Sequence, residues 1–220
     1  LSHSPTADDA SRTQFEAFDR ELAQSHMRGQ WQIDRLLQGA LGGPTPAGLP
    51  FLWSWSDVYD KLLKACVVMP ESHTARRNLA FVNPGLQPGR GVTTHTITAG
   101  MQIVKPREVA EGHRHTIAAL RLAIEGGSGV YTVVDGQACA MESYDLVFTP
   151  AWSWHDHHND TDAPAVWMDV LDSPLVVALN QVFFESYDRG MQTIASRDAA
   201  APLRFAWRDT ERRLHEARPS

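Results

Sequence analysis

The chain has 220 residues, with 20 Lys+Arg against 26 Asp+Glu and 43% hydrophobic residues, enough for one large domain with a buried core. A net charge of −6 without a basic stripe argues against nucleic-acid binding, and no run approaches the ~18 consecutive apolar residues of a membrane span. Two cysteines, Cys66 and Cys139, cannot build a disulfide scaffold, and residues 1–10 lack the basic and apolar regions of a secretory signal. A reducing, cytoplasmic setting is the expectation.

Residues 12–37 read as helix, with Phe15, Phe18, Leu22, Ile33, Leu36 and Leu37 near helical spacing, Ser11 as N-cap and Gly29 as a break. Gly39 to Pro50 holds four glycines and three prolines and reads as a connector. The aromatic segment Phe51-Leu-Trp-Ser-Trp55 anchors a short helix capped by Ser56 over Asp57–Cys66, with Val58, Leu62 and Ala65 on one side. From about residue 75 the texture becomes strand-like: Arg77–Val82, Thr93–Val104, His115–Ile124, Gly129–Val134, Leu146–Thr149 and Ala165–Leu171 are rich in Val, Ile, Thr and aromatics. Turn residues punctuate them at Asn83-Pro84-Gly85, Pro88-Gly89, Gly126-Gly127 and Asp135-Gly136, the last pair suiting a type I′ hairpin. Short strands at this spacing predict an antiparallel sandwich or barrel. After Pro174 the pattern turns helix-like through Leu175, Val176, Leu179, Val182 and Phe183, and Asp209–Ala217 reads as a last short helix.

Ten histidines are present, five of them between His113 and His158. His113 and His115 stand at i and i+2, so on a strand both point to one side and can reach one metal. His155 and His157 repeat that relation some forty residues later, with His158 facing the other way. Three neutral imidazoles leave several positions open on a first-row metal, as a substrate-activating centre needs. An HxH alone is a weak motif that surface and core histidines often produce. The joint pattern, with a Gly-rich turn, an acidic turn, Pro150, a further His and Asn159, is stronger, and a histidine-rich surface loop does not explain the strands on both sides.

Gly112-His-Arg-His115 with Gly126, and Asp145 through Pro150 to His155 and Asn159, resemble the two motifs of the cupin superfamily. The string His113-Arg-His-Thr-Ile-Ala-Ala-Leu-Arg-Leu-Ala-Ile-Glu-Gly126 is more specific. With Tyr131-Thr-Val-Val-Asp-Gly136, Thr149-Pro-Ala-Trp-Ser-Trp-His-Asp-His157 and Trp167-Met-Asp-Val-Leu-Asp172, it resembles the gentisate 1,2-dioxygenase family, which includes salicylate and 1-hydroxy-2-naphthoate dioxygenases. The likeness runs from about Arg77 to Pro174, with Asn83-Pro-Gly-Leu86 and Gln102 fitting it too. Many cupins carry a Glu ligand four or five residues after the HxH. Here those positions are Ala119 and Leu120, as in the three-histidine gentisate group. Two family glycines are replaced, by Tyr144 before the acidic turn residue and by Arg107 in Pro106-Arg107-Glu108.

The resemblance implies a mainly β cupin jelly-roll barrel over residues 71–185, a helical region over 1–70, and over 186–220 an arm leading towards a second cupin that this chain lacks. It implies Fe(II) held by His113, His115 and His155, and opening of gentisate, or of salicylate or 1-hydroxy-2-naphthoate, with O2. Arg77, Gln102 and Arg121 are then substrate-binding residues, and Arg121, His157 and Asp169 catalytic ones. By strand parity Arg121 shares a face with His115, from which it can engage a carboxylate bidentately. The competing reading makes Arg121 and Asp169 a buried structural ion pair. A homo-oligomer, a tetramer by family resemblance, a small aromatic hydroxy acid and O2 are the expected partners, with neither nucleic acid nor membrane. A non-catalytic cupin binding a metal or aromatic acid is the alternative of another class. Trp152 and Trp154 read as core, Gly126–Gly129 as a hairpin turn, Asp156, His158 and Asp160 as surface polar residues, and Cys139 as a small core hydrophobe.

Overall fold

The structure, a computed structural model, describes residues 7–33, 48–69, 77–86, 92–197 and 201–217. Leu36, Leu37, most of the Gly/Pro connector and Pro88-Gly89 lie outside these residues. The chain forms two compact units, Leu1–Ala47 and Gly48–Ser220. In the first, helix α1 (Ala7–Gln24) starts four residues before the expected cap Ser11 and ends well short of Gly29. The chain then turns back and lays Trp31 against Phe15 and Phe18, with ring centroids 6.0 and 5.9 Å away. The indole N–H donates to Asp19 Oδ1 at 3.0 Å, which is what an amphipathic aromatic needs when half-buried.

The second unit opens with α2 (Trp55–Val68), whose N-cap is Ser54 rather than Ser56. Nine strands follow: β1 (Asn78–Ala80), β2 (Thr98–Val104), β3 (Glu108–His115), β4 (Ala119–Glu125), β5 (Gly127–Val134), β6 (Gln137–Met141), β7 (Leu146–Thr149), β8 (His155–Asn159) and β9 (Ala165–Leu171). Then come α3 (Ser173–Ala178), β10 (Phe184–Ser186), β11 (Arg204–Phe205) and α4 (Trp207–Glu216). They build a six-stranded sheet, β1-β2-β9-β4-β7-β11, and a five-stranded sheet, β10-β3-β8-β5-β6. Every pairing of named strands is antiparallel, so the fold is the expected mainly β jelly roll.

Its two larger apolar clusters tie the sheets to each other and to α2. Val104, Ala123, Val147, Ala165 and Trp167 of the six-stranded sheet meet Val130, Cys139 and Met141 of the other, filling the space between them. Cys139 thus behaves as a core hydrophobe, its thiol pushed up by burial. On the outside of β2 and β9, Val58 and Leu62 of α2 pack with Met101, Ile103 and Val166, and Trp53 stacks on Phe81 at 4.9 Å. Each fully buried aliphatic side chain contributes about 1.5–3 kcal/mol, so α2 belongs to the same folding unit as the sheets.

Several expectations fail because apolar runs do not mark where the chain changes sheet. His115–Ile124 is not one strand: β3 ends at His115, residues 116–118 cross over, and β4 begins in the opposite sheet. Gly126–Gly129 is not a hairpin turn either. β4 and β5 lie in different sheets, and Gly126 passes so close to Met141 that an added Cβ would sit 2.0 Å from its carbonyl oxygen. The helix after Pro174 lasts six residues before the chain extends into β10. Strand β8 is polar in sequence yet buried throughout, as are Gly112, His113 and His115 of β3, and Asp156 and His158 are interior rather than surface residues. Their polar groups are satisfied there: Asp156 accepts from the backbone and side-chain amides of Gln192 and lies 2.6 Å from His158, whose ring stacks on Tyr131. Asp135-Gly136 does form the expected hairpin turn, both residues with positive φ.

Candidate metal centre

The alternation of β3 sends His113 and His115 to the inside of the five-stranded sheet, and His155 opens the neighbouring β8 directly across from His113. The ring centroids of His113 and His155 are 4.0 Å apart, those of His115 and His155 4.8 Å, and those of His113 and His115 5.3 Å. One ring nitrogen from each lies within 4.8 Å of the others, and all three residues are buried. Among the described residues this is the single such group of His, Cys, Asp or Glu, and no acid belongs to it.

Each ring is held by its Nδ1. His113 faces Glu111 O at 3.3 Å, His115 faces Ile117 O at 2.7 Å, and His155 faces Ser153 O at 3.0 Å. A carbonyl can only accept, so each Nδ1 carries a proton, and in the neutral ring Nε2 then presents the lone pair. The Nε2 of His155 is buried without a hydrogen-bond partner, a condition that costs about 1–3 kcal/mol unless something coordinates it. Burial, the charge of Arg121 and the nearby His113 hold His155 well below the ordinary imidazole range, so the ring is neutral near pH 7. Three backbone-oriented imidazoles converging without an acid fit a divalent first-row metal that keeps coordination positions for other ligands.

The facing wall is charged. Arg121 on β4 is paired across the ladder with Asp169 on β9, Nε to Oδ1 3.3 Å, and its Nη1 donates to Thr149 Oγ1. Asp169 in turn accepts from Trp167 Nε1 at 3.1 Å and from Asn78 Nδ2 at 2.7 Å. Gly100, opposite Asp169 on β2, leaves the room that Asn78 needs: a Cβ there would sit 2.7 Å from the Asn78 Oδ1. Burial lowers the Arg121 pKa and the Asp169 charge opposes that, and a guanidinium keeps its proton regardless. Strand parity with His115 is not the reason Arg121 comes near the histidines. It arrives from the other sheet, and its charge is felt at His155.

The remaining sequence-derived residues are distributed differently. His157 lies two along from His155, its Nδ1 2.8 Å from Thr132 Oγ1 and its ring 5.2 Å from that of Trp167. Gln102 is buried on β2 between Asn78 and Trp167. Arg77 directs both terminal nitrogens at the Glu108 carboxylate, at 2.6 and 2.8 Å, and its Nε at Met69 O. Burial would raise Glu108, but hydrogen bonds from Arg77 and the Lys105 amide, with both cations near, hold it below the usual carboxylate range. Trp152 and Trp154 are half-buried rather than core. Sequence reasoning gave no role to Asn78, Thr132, Thr149 or Trp167. The period-two relation of Trp167 to Asp169 was available as a signal, whereas Asn78, Thr132 and Thr149 come near only through strand pairing.

A cupin-domain family model matches residues 100–171. The chain is 41% identical over 225 residues to a 1-hydroxy-2-naphthoate 1,2-dioxygenase from Nocardioides sp., covering 93% of this chain and 58% of that protein. It is 42% identical over 155 residues to a gentisate 1,2-dioxygenase from Streptomyces sp., covering 70% and 42%. The crystal structure of the salicylate 1,2-dioxygenase from Pseudoaminobacter salicylatoxidans with gentisate matches with a TM-score of 0.77 at 29% identity, over 98% of this chain and 63% of that one. The chain thus spans less than two thirds of each of these relatives. A shared fold over nearly its whole length, with identity near 40% to curated relatives, makes this chain a member of the gentisate 1,2-dioxygenase family of cupins.

Proposed function

We propose that the chain carries the metal centre of an Fe(II)-dependent dioxygenase that opens gentisate (2,5-dihydroxybenzoate), or a close hydroxybenzoate, between its carboxyl-bearing and adjacent hydroxyl-bearing carbons using O2. The observation behind this reading is the buried cluster of three imidazoles with no acid among them, the Nε2 of His155 lacking any hydrogen-bond partner. His113, His115 and His155 would hold the iron. When bound, it supplies open coordination positions and a path for electrons from the aromatic ring to dioxygen.

The other residues divide the work of positioning. Arg121, whose charge reaches His155, is the cation for the carboxylate of the aromatic acid, and Asp169, itself held by Trp167 and Asn78, keeps the guanidinium oriented. His157, steadied by Thr132, holds or accepts a proton on the substrate side. Gln102 lines the same interior from β2. A carboxylate reaching Arg77 would have to compete with Glu108, so within this reading Arg77 supports the wall more than it binds substrate. The naphthoate relative, matched over 93% of the chain, favours a second substrate reading, 1-hydroxy-2-naphthoate. It shares with gentisate the carboxylate ortho to a hydroxyl, and differs in carrying a fused second ring and no hydroxyl para to the first.

A homo-oligomer and a cytoplasmic location complete the proposal. Among the described residues no helix is long and apolar enough to cross a membrane. Oxygen uptake by anaerobically Fe(II)-loaded protein, with gentisate, salicylate and 1-hydroxy-2-naphthoate in parallel, tests the activity. Uptake with one of them, absent in His113→Ala, is expected. Iron retention without uptake on any of the three would leave the non-catalytic binding cupin instead.

A further inference from the structure

Between the two ligands of β3 stands Arg114, directed to the outer side of the strand. Its guanidinium lies 4.3 Å from the ring centroid of Trp152 and 4.4 Å from that of Trp154. Its Nε and Nη2 both donate to Glu185 Oε2, at 2.9 and 2.6 Å. Glu185 belongs to β10, which pairs with β3 through Phe184↔His115, Glu185↔Arg114 and Ser186↔His113. The two indoles belong to the segment that delivers the third ligand: Trp154 is the residue before His155, and Trp152 N donates to His115 O at 2.7 Å. Phe183 and Tyr187, flanking β10, close on Trp152 and Trp154 with centroids 5.2 and 4.9 Å away.

This assembly lies where the pairing of β3 with β8 is irregular, although β10 pairs with β3 on its other edge. β3 and β8 pair regularly from Glu108↔Asn159 to Ala110↔His157, then slip, and meet once more at His113↔His155. Arg114 and His115 lie beyond that last pair, and Gly112 bonds instead to Tyr187 and Gly190. The β3–β8 ladder therefore sets the spacing of these two strands at the single rung His113↔His155, and not at Arg114 or His115. Trp152 also holds φ +67°, a left-handed conformation that a bulky side chain adopts only when its surroundings impose it. A planar guanidinium between two indoles, hydrogen-bonded at its edge, is such a surrounding.

We propose that Arg114, clamped by Trp152, Trp154 and Glu185, is a positioning residue of the metal centre. From outside the barrel it fixes the distance between the strand carrying His113 and His115 and the loop that delivers His155. Because neighbouring residues of a strand share one backbone, holding the outer side chains holds the inner imidazoles. This inference rests on the three-histidine reading above.

Anaerobic Co(II) titration of the wild-type chain, of His113→Ala and of Arg114→Met separates the two. Cobalt serves as the probe because its d–d bands report ligand geometry, and thermal unfolding of the metal-free proteins runs alongside. Arg114→Met is expected to weaken Co(II) binding about tenfold or more, the scale of losing an outer partner of a metal ligand. Its bands should change in shape, and the metal-free protein should melt close to wild type. Arg114→Lys, which keeps the charge but not the planar fork, should fall between. Glu185→Gln and Trp152→Phe, milder changes, should shift affinity in the same direction if Arg114→Met does not fold. Wild-type affinity and bands in all of these variants would overturn the positioning role while leaving the three-histidine site intact. Co(II) binding unaffected by His113→Ala would overturn both.

Discussion

The two sheets hold their functional side chains by different means. In the five-stranded sheet the three imidazoles hang from backbone carbonyls. In the six-stranded sheet Arg121 and Asp169 are held by each other and by the side chains of Thr149, Trp167 and Asn78. The carbonyls of Glu111, Ile117 and Ser153 sit at a strand bulge, in the crossing after β3 and in the loop before β8, where pairing is irregular. On β4 and β9 the ladder is regular around Arg121↔Asp169, and backbone groups are committed to it. A ligand imidazole needs a fixed tautomer and no added charge, which a carbonyl supplies. A buried ion pair needs further polar partners to offset desolvation, and there only side chains remain.

Breaking the first mode should have the largest effect. His155→Ala is expected to lower Fe(II) affinity by more than the ~100-fold that loss of an outer hydrogen-bond partner can cost, read by anaerobic metal titration. Breaking the second mode should leave the metal in place. Arg121→Lys keeps a cation but not the fork, and kcat/KM on the substrate identified by oxygen uptake should fall on the order of 10–100-fold, with metal content unchanged.

The link between the sheets is tested by Arg77→Met. Arg77 precedes β1 of one sheet, and Glu108 begins β3 of the other. Removing the guanidinium leaves the half-buried Glu108 with the Lys105 amide and ammonium, and should destabilise the protein by about 1–3 kcal/mol in denaturant unfolding at neutral pH. Since the folded Glu108 titrates below its unfolded value, the pair's contribution is complete above the ordinary carboxylate range. It is lost as pH falls through the folded pKa, and the difference between wild type and variant should shrink there.

The smallest effect concerns a crossing between sheets. Tyr144, between β6 and β7, has φ +73° with its side chain exposed, making only an edge contact with Trp207 at 6.3 Å. Tyr144→Gly should relieve strain and stabilise by about 1 kcal/mol, raising Tm by a few degrees. Arg107 at φ +59° is the parallel case. Both replaced family glycines thus keep the backbone shape that glycine would favour, which shows that the surrounding turns impose it.

The candidate ligand histidines were legible because period-two spacing on a strand is a local property. The His113/His115 pair, the Asp135-Gly136 turn and the β character of residues 98–171 needed nothing beyond near neighbours in the chain. The resemblance then supplied Arg121 and Asp169, whose contact no spacing reveals, since 48 positions separate them in the chain and one rung of a ladder joins them. Strand limits failed where the chain changed sheets at 116–118 and at Gly126, because apolar texture continues through a crossing. Asp156 and His158 were misread as surface for the converse reason: charge in a sequence signals exposure only until another segment covers it, and here Gln192 and Tyr131 do.

The sequence by itself determined which residues offer lone pairs and which face of each strand carries them, since both follow from side-chain chemistry and backbone alternation. Only the tertiary structure decided that Arg77 is taken up by Glu108, that Arg121 meets the histidines from the opposite sheet, and that Arg114 is gripped from outside. Each of these depends on strands brought together over long stretches of chain, where packing and charge compensation choose among partners that local spacing cannot rank.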